Sequence, residues 1–122
     1  MKKKIFGLIM MIGLITGCGS KSINNLVTSK EAKKMYDNGS IIIDVRTIEE
    51  YNEKHIKGAI NIPLDEIEYN IKSEIPSLDT KIIVYCHSGN RSNMARNTLL
   101  KIGYTNVYDL GGIDNWTYDF SN

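Results

Sequence analysis

Two β-branched runs constrain this chain more than any other feature: Ile41-Ile42-Ile43 and Ile82-Ile83-Val84-Tyr85. Neither alternates with polar residues. A strand with one wet face alternates, whereas a strand covered on both faces reads as a continuous apolar run. Both runs therefore belong inside a sheet with helices on each side. Three shorter runs, around Leu26, Ala59–Ile62 and Asn106–Leu110, bring the expected strands to five. Helical patterns separate them, so the chain predicts an α/β domain with a mainly parallel five-stranded sheet flanked by helices.

The helix signals are local and physical. Thr28-Ser29-Lys30-Glu31 and Thr47-Ile48-Glu49-Glu50 are capping boxes, opening helices to about Tyr36 and Lys54. Leu64, Ile67 and Ile71 share one helical face after Pro63. Met94, Ala95, Leu99 and Ile102 stripe another, with Gly103 at its C-terminal cap. Gly111-Gly112 is expected to turn into a final helix around Ile113 to Tyr118.

The first residues follow a different logic. Met1-Lys2-Lys3-Lys4 is a positive start, and the apolar stretch Ile5 to Ile15 is 11 residues long. A membrane-spanning helix needs about 20. The stretch instead has the length of the apolar region of a secretory signal. Ile15-Thr16-Gly17-Cys18 follows, and resembles the lipobox of bacterial lipoproteins, in which the cysteine is lipidated and becomes the new N-terminus. The expected organisation is a signal peptide over 1–17, a lipidated N-terminus and tether over 18–24, and one domain over 25–122. The expected location is a membrane-anchored lipoprotein facing the extracytoplasmic side.

Loss of Lys2, Lys3 and Lys4 would change the balance from 15 basic and 14 acidic residues to 12 and 14. A nearly neutral domain disfavours nucleic acid as a partner and offers no polybasic patch to anionic lipid. Attachment would rest on acyl chains.

The chain has two cysteines. With Cys18 lipidated, Cys86 has no intramolecular partner. A single thiol exported to a disulfide-forming compartment calls for a reason, and reactivity is the direct one. Cys86 ends the Ile82–Tyr85 strand and precedes His87-Ser88-Gly89-Asn90-Arg91-Ser92 and a helix. In parallel sheets ligands bind beyond the carboxyl ends of the strands. Loop N–H groups, a helix N-terminus and the charge of Arg91 would favour the thiolate there. Gly89 allows the tight loop.

Four segments in order now carry a resemblance. Cys86 to Ser92 resembles the C-x-x-G-x-R-S loop of rhodanese-like sulfurtransferases. Ile43-Asp44-Val45-Arg46 with Glu49-Glu50-Tyr51 resembles the D-V-R…E-[FY] segment of that family. His55 to Pro63 resembles its H-I-x-G-A-x-N-I-P segment, and Leu110-Gly111-Gly112 with Trp116 its L-x-G-G-x-x-x-W ending. The resemblance covers about residues 25–120. It implies a rhodanese-like fold and sulfur transfer from a donor such as thiosulfate to a thiol or cyanide acceptor, through a persulfide on catalytic Cys86. His87, Ser88, Gly89, Asn90 and Arg91 are the implied substrate-binding residues, with Arg91 able to hold an anionic donor. The chemistry requires no metal and no organic cofactor.

Other residues read as structural. Asp44 and Arg46 suit an ion pair or loop-ordering role. His55 stands near a helix C-terminus, Trp116 suits the core, and alternation turns Tyr85 to the face opposite Cys86. Two further functions stay open. One is a persulfide carrier or binding module without turnover. The other is a phosphatase or arsenate reductase of the same fold, whose loop is C-x5-R; here Cys86 to Arg91 is C-x4-R, one residue shorter.

Overall fold

The computed structural model describes residues 26–122. The expected signal segment, Cys18 and the tether lie outside the described residues. Helix α1 spans Ser29–Asp37, strand β1 Ile41–Asp44, helix α2 Ile48–Glu53, and strands β2 and β3 His55–Ile56 and Ile60–Asn61. Helix α3 spans Leu64–Glu74, strand β4 Ile82–Cys86, helix α4 Asn90–Ile102, and strand β5 Val107–Gly112. A 3₁₀ turn at Ile113–Asn115 and strand β6 at Phe120–Ser121 complete the order.

The main sheet runs β3-β1-β4-β5, and every pairing in it is parallel. The two apolar runs form its centre, β1 and β4, as expected for strands covered on both faces. The fifth expected strand is reduced to one parallel bridge, Leu26 to Asp109. Both capping boxes form. Thr28 Oγ1 accepts from Glu31 N, and Thr47 Oγ1 accepts from Glu50 N, while each glutamate accepts from the backbone N–H of its threonine.

Alternation along β1 and β4 divides the core. Ile43, Val45, Ile82, Val84 and Cys86 face α3 and α4, where Ile67, Ile71, Ala95 and Leu99 are buried. Ile42, Ile83 and Tyr85 face the other way, with Ala32 of α1, Leu110, Ile113 and Trp116. Cys86 and Tyr85 thus lie on opposite faces, as alternation required.

The C-terminal part and the strand around His55 also differ from expectation. The final helix shortens to one 3₁₀ turn, because Ile113 and Trp116 are both buried three residues apart, a spacing that one tight turn already satisfies. The chain then leaves extended, and β6 pairs antiparallel with β2. At two residues each, these strands are too short to register as runs.

A buried charge cluster ties three strands together. The Asp44 side chain is fully buried and accepts from Arg46 N, Nε and Nη2 and from Tyr85 Oη. Arg46 also donates to the carbonyl of Lys54, and Tyr85 Oη accepts from Ile56 N. The structural role expected of Asp44 and Arg46 is what this geometry shows. Burial and then the Asp44 carboxylate push the Tyr85 hydroxyl well above its ordinary range, so it stays protonated as a donor.

Removing Asp44 would leave the Arg46 guanidinium buried without its counter-charge. Asp44→Ala is expected to destabilise the domain by about 3–5 kcal/mol. Urea denaturation with an unchanged slope and a lowered midpoint checks this; an unchanged midpoint would show that the pair is dispensable.

Candidate active site

Cys86 is the last residue of β4, 1% exposed, at the carboxyl edge of the parallel sheet. Only three residues separate it from α4. The turn is possible because Gly89 takes φ +104°, a left-handed conformation natural to glycine. Gly89 serves as the N-cap of α4, with no side chain to satisfy the helix's first N–H groups. Two of the loop's N–H groups go to sulfur: Gly89 N donates to Cys86 Sγ at 3.0 Å and Ser92 N at 3.2 Å. Ser92 Oγ donates back to the Gly89 carbonyl, which also accepts from Asn93 N, so the turn is closed on itself.

This arrangement turns hydrogen-bond donors onto sulfur. Two N–H dipoles converge on Sγ, and a 13-residue helix presents its positive end to the same point. The sequence points to the N–H groups of the loop as donors; the structure uses Gly89 in the loop and Ser92 just inside α4. Counting from Gly89 as the cap makes Ser92 the third helical residue, whose N–H has no partner inside the helix, and that count would have found it.

The other expected site residues divide between two clefts. Ser88, Gly89 and Asn90 line a cleft of about 430 Å³ whose far wall is the end of β5 and Asn115. Arg91 instead lines a second cleft of about 350 Å³ with Val45, Arg46, Thr47, Leu64 and Asp65. His87 is exposed and lines neither. Among the described residues, no group of three or more His, Cys, Asp and Glu side chains is placed to hold a metal ion.

Arg91 is already engaged. Its Nη1 and Nη2 donate to Glu50 Oε1 and Oε2 at 2.8 and 3.1 Å, a two-point ion pair between α4 and α2. The Arg91 hydrogen bond, aided by the Thr47 N–H and hydroxyl, holds the Glu50 carboxyl down at about 2 against the opposing cost of burial. Glu50 in turn raises Arg91, and the charge of the Cys86 sulfur acts in the same direction. The sequence marked Glu50 as a capping residue and as part of the D-V-R…E-[FY] resemblance; nothing in its local pattern signals a partner 41 positions away. His55 is structural, as expected: its ring stacks on Tyr51 at 3.7 Å and Nδ1 meets the Tyr51 carbonyl. Trp116 is buried and donates Nε1–H to the Asp119 carbonyl.

A thiol at the carboxyl edge of β4, cradled by a short loop and a helix start, defines a rhodanese-type α/β domain. The chain belongs to the rhodanese-like domain family, which it matches over residues 28–119. It is 42% identical over 71 residues to thiosulfate sulfurtransferase PspE of Escherichia coli, covering 58% of this chain and 68% of that protein. It is 44% identical over 77 residues to a putative sulfur carrier protein, YrkF of Bacillus subtilis, covering 62% of this chain but only 40% of that one. Among solved structures, an E. coli rhodanese with anions superposes with a TM-score of 0.66 at 36% identity, over 68% of this chain and 98% of the other.

The Glu50–Arg91 pair has a calculable pH signature. Glu50 loses its proton more readily in the folded chain than in the unfolded one. Its contribution is therefore complete above the ordinary carboxylate value of 4.5 and is lost as pH falls towards about 2. Glu50→Gln should lower stability at neutral pH by a margin that stays constant down to about pH 5 and closes below it. Denaturant midpoints across this range test it. A margin independent of pH would mean that the ion pair contributes nothing through its charge.

Proposed function

We propose that the protein transfers sulfane sulfur through a persulfide on Cys86. The observation that carries this reading is the pair of backbone N–H groups aimed at a thiol at the strand end, in a chain of the rhodanese-like family. The Cys86 thiolate attacks the outer sulfur of thiosulfate. The S–S bond breaks, sulfite departs with the bonding pair, and Cys86 carries one extra sulfur. Cyanide or a thiolate then attacks that outer sulfur, and the Cys86 thiolate leaves. In the cyanide case the product is thiocyanate. The Gly89 and Ser92 N–H groups stabilise anionic sulfur at the start and end of the cycle.

His87, Ser88, Gly89, Asn90 and Arg91 form the proposed substrate-binding loop. Two of the five N–H donors of Arg91 go to Glu50. The remainder serve an anionic donor from the separate cleft that Arg91 lines with Val45, Arg46 and Thr47. The similarity to the putative sulfur carrier protein YrkF supports a second reading, in which Cys86 holds sulfur for a partner without turnover on small molecules.

The two readings and the phosphatase alternative separate in paired assays on one preparation. Cys86→Ser should fold normally and lose all thiocyanate production, because a serine hydroxyl is not ionised near neutral pH. Mass spectrometry of the wild type after thiosulfate should show one added sulfur on Cys86. Persulfide without thiocyanate would favour the carrier. Aryl-phosphate hydrolysis that depends on Cys86, without persulfide, would overturn sulfur transfer.

The order Lys2-Lys3-Lys4, Ile5–Ile15, Gly17-Cys18 supports a further proposal, that Cys18 is lipidated and tethers the 25–122 domain to the extracytoplasmic membrane face. Cys18→Ala should move the protein out of the membrane fraction or leave it unprocessed. An intact mass showing unmodified Cys18 on a soluble exported protein would overturn the anchor.

A further inference from the structure

Gly112 has no conformational reason to be glycine. Its φ and ψ are −88° and 153°, extended values open to any residue. Its reason is space. A Cβ at Gly112 would meet the His87 carbonyl oxygen well inside the 3.0 Å that real Cβ atoms keep, and the Cα of Ser88 at 3.4 Å. His87 and Ser88 are the two residues between the nucleophile and Gly89, so the end of β5 lies directly against the loop that aims N–H groups at sulfur.

The sheet delivers Gly112 there by a bulge. Val84 pairs with Asp109, but Tyr85 pairs with Gly111 and Cys86 with Gly112, so β5 carries one extra residue, Leu110, at this step. The Asp109 carboxylate, buried beside the bulge, accepts from Gly111 N at 2.8 Å and fixes it. Without the extra residue Gly111 would face Cys86. Gly111 stands at φ +87°, and a Cβ there would meet the amide end of Asn115 rather than loop backbone.

We propose that Gly112 is a positioning residue for the nucleophile: its missing side chain, brought opposite Cys86 by the β5 bulge, seats the His87–Ser88 backbone so that Gly89 N–H and Ser92 N–H reach Sγ. The role rests on Cys86 being the sulfur-transferring thiol, although the seating itself does not. A methyl group at 112 displaces the loop backbone by about 1 Å, and a displacement of that size in a reacting constellation costs on the order of 100-fold in rate.

The test compares Gly112→Ala with Gly39→Ala in the full-length chain. Gly39 has φ +106°, and a methyl group added there would meet nothing within 4 Å, so its variant strains the backbone without touching the loop. Two readouts are taken: the single-turnover rate of Cys86 persulfide formation from thiosulfate, and the amide proton resonances of Gly89 and Ser92. Gly112→Ala should fold, shift both resonances upfield as their hydrogen bonds to sulfur weaken, and lose about 100-fold in rate. Gly39→Ala should keep the wild-type resonances and rate. Wild-type resonances or an undiminished rate in Gly112→Ala would overturn the proposal. So would failure of Gly112→Ala to fold while Gly39→Ala folds, since Gly112 would then serve the fold rather than the nucleophile. Shifted resonances in a protein whose wild type forms no persulfide would leave the seating intact and remove the sulfur-transfer reading instead.

Discussion

The buried carboxylate of Asp44 is the interaction on which the rest of the site depends. It ends β1, and its acceptors are filled by Arg46 and by Tyr85 Oη. Because Tyr85 is locked there, and also receives Ile56 N–H, its face of β4 is fixed. Side chains alternate along a strand, so fixing Tyr85 on one face fixes Cys86 on the other. The Cys86 thiol is thereby held towards α4, where helix N–H groups can reach it. A buried ion pair is weak evidence for net stability, since desolvation opposes it. Here its geometric effect is plain: three strands and the direction of the thiol are set by one carboxylate.

A second constraint comes from the opposite side of β4. The β5 bulge at Leu110 brings two glycines alongside Tyr85 and Cys86, where side chains would meet the loop or Asn115. The loop is therefore bounded by a strand end beneath it and a helix start beyond it. Such a loop is short and preorganised. Its N–H groups need little rearrangement when charge builds on sulfur, which is the condition under which fixed dipoles are most effective.

Much of this was legible in the sequence, and the reasons differ by residue. Ile41–Ile43 and Ile82–Tyr85 announced the sheet's centre because strands covered twice cannot alternate. Thr28 and Thr47 announced helix starts because capping is local chemistry between residues three apart. Cys86 was exposed to inference by its position at a strand end before a polar loop. The features that escaped are long-range or very short. β2 and β6 have two residues each and exist only because distant parts of the chain meet. The bulge at Leu110 is a matter of register between strands, and one chain's pattern carries no register. Ser92 was within reach by counting from Gly89, whereas the Glu50–Arg91 contact was not.

Glu50 shows why that last contact alters the chemistry. One carboxylate accepts from Thr47 N, which caps α2, and from both terminal nitrogens of Arg91, which opens α4. The arginine charge nearest the loop is thus balanced by an adjacent negative charge that persists to low pH. A compensated arginine exerts a short-range, directional effect through its remaining N–H groups rather than a broad attraction for anions. Stabilisation of charge on sulfur then falls chiefly to the uncompensated dipoles, Gly89 N–H, Ser92 N–H and the helix end. This division leaves the charge of Arg91 paired with Glu50, while the fixed backbone dipoles of Gly89 and Ser92 point at the Cys86 sulfur.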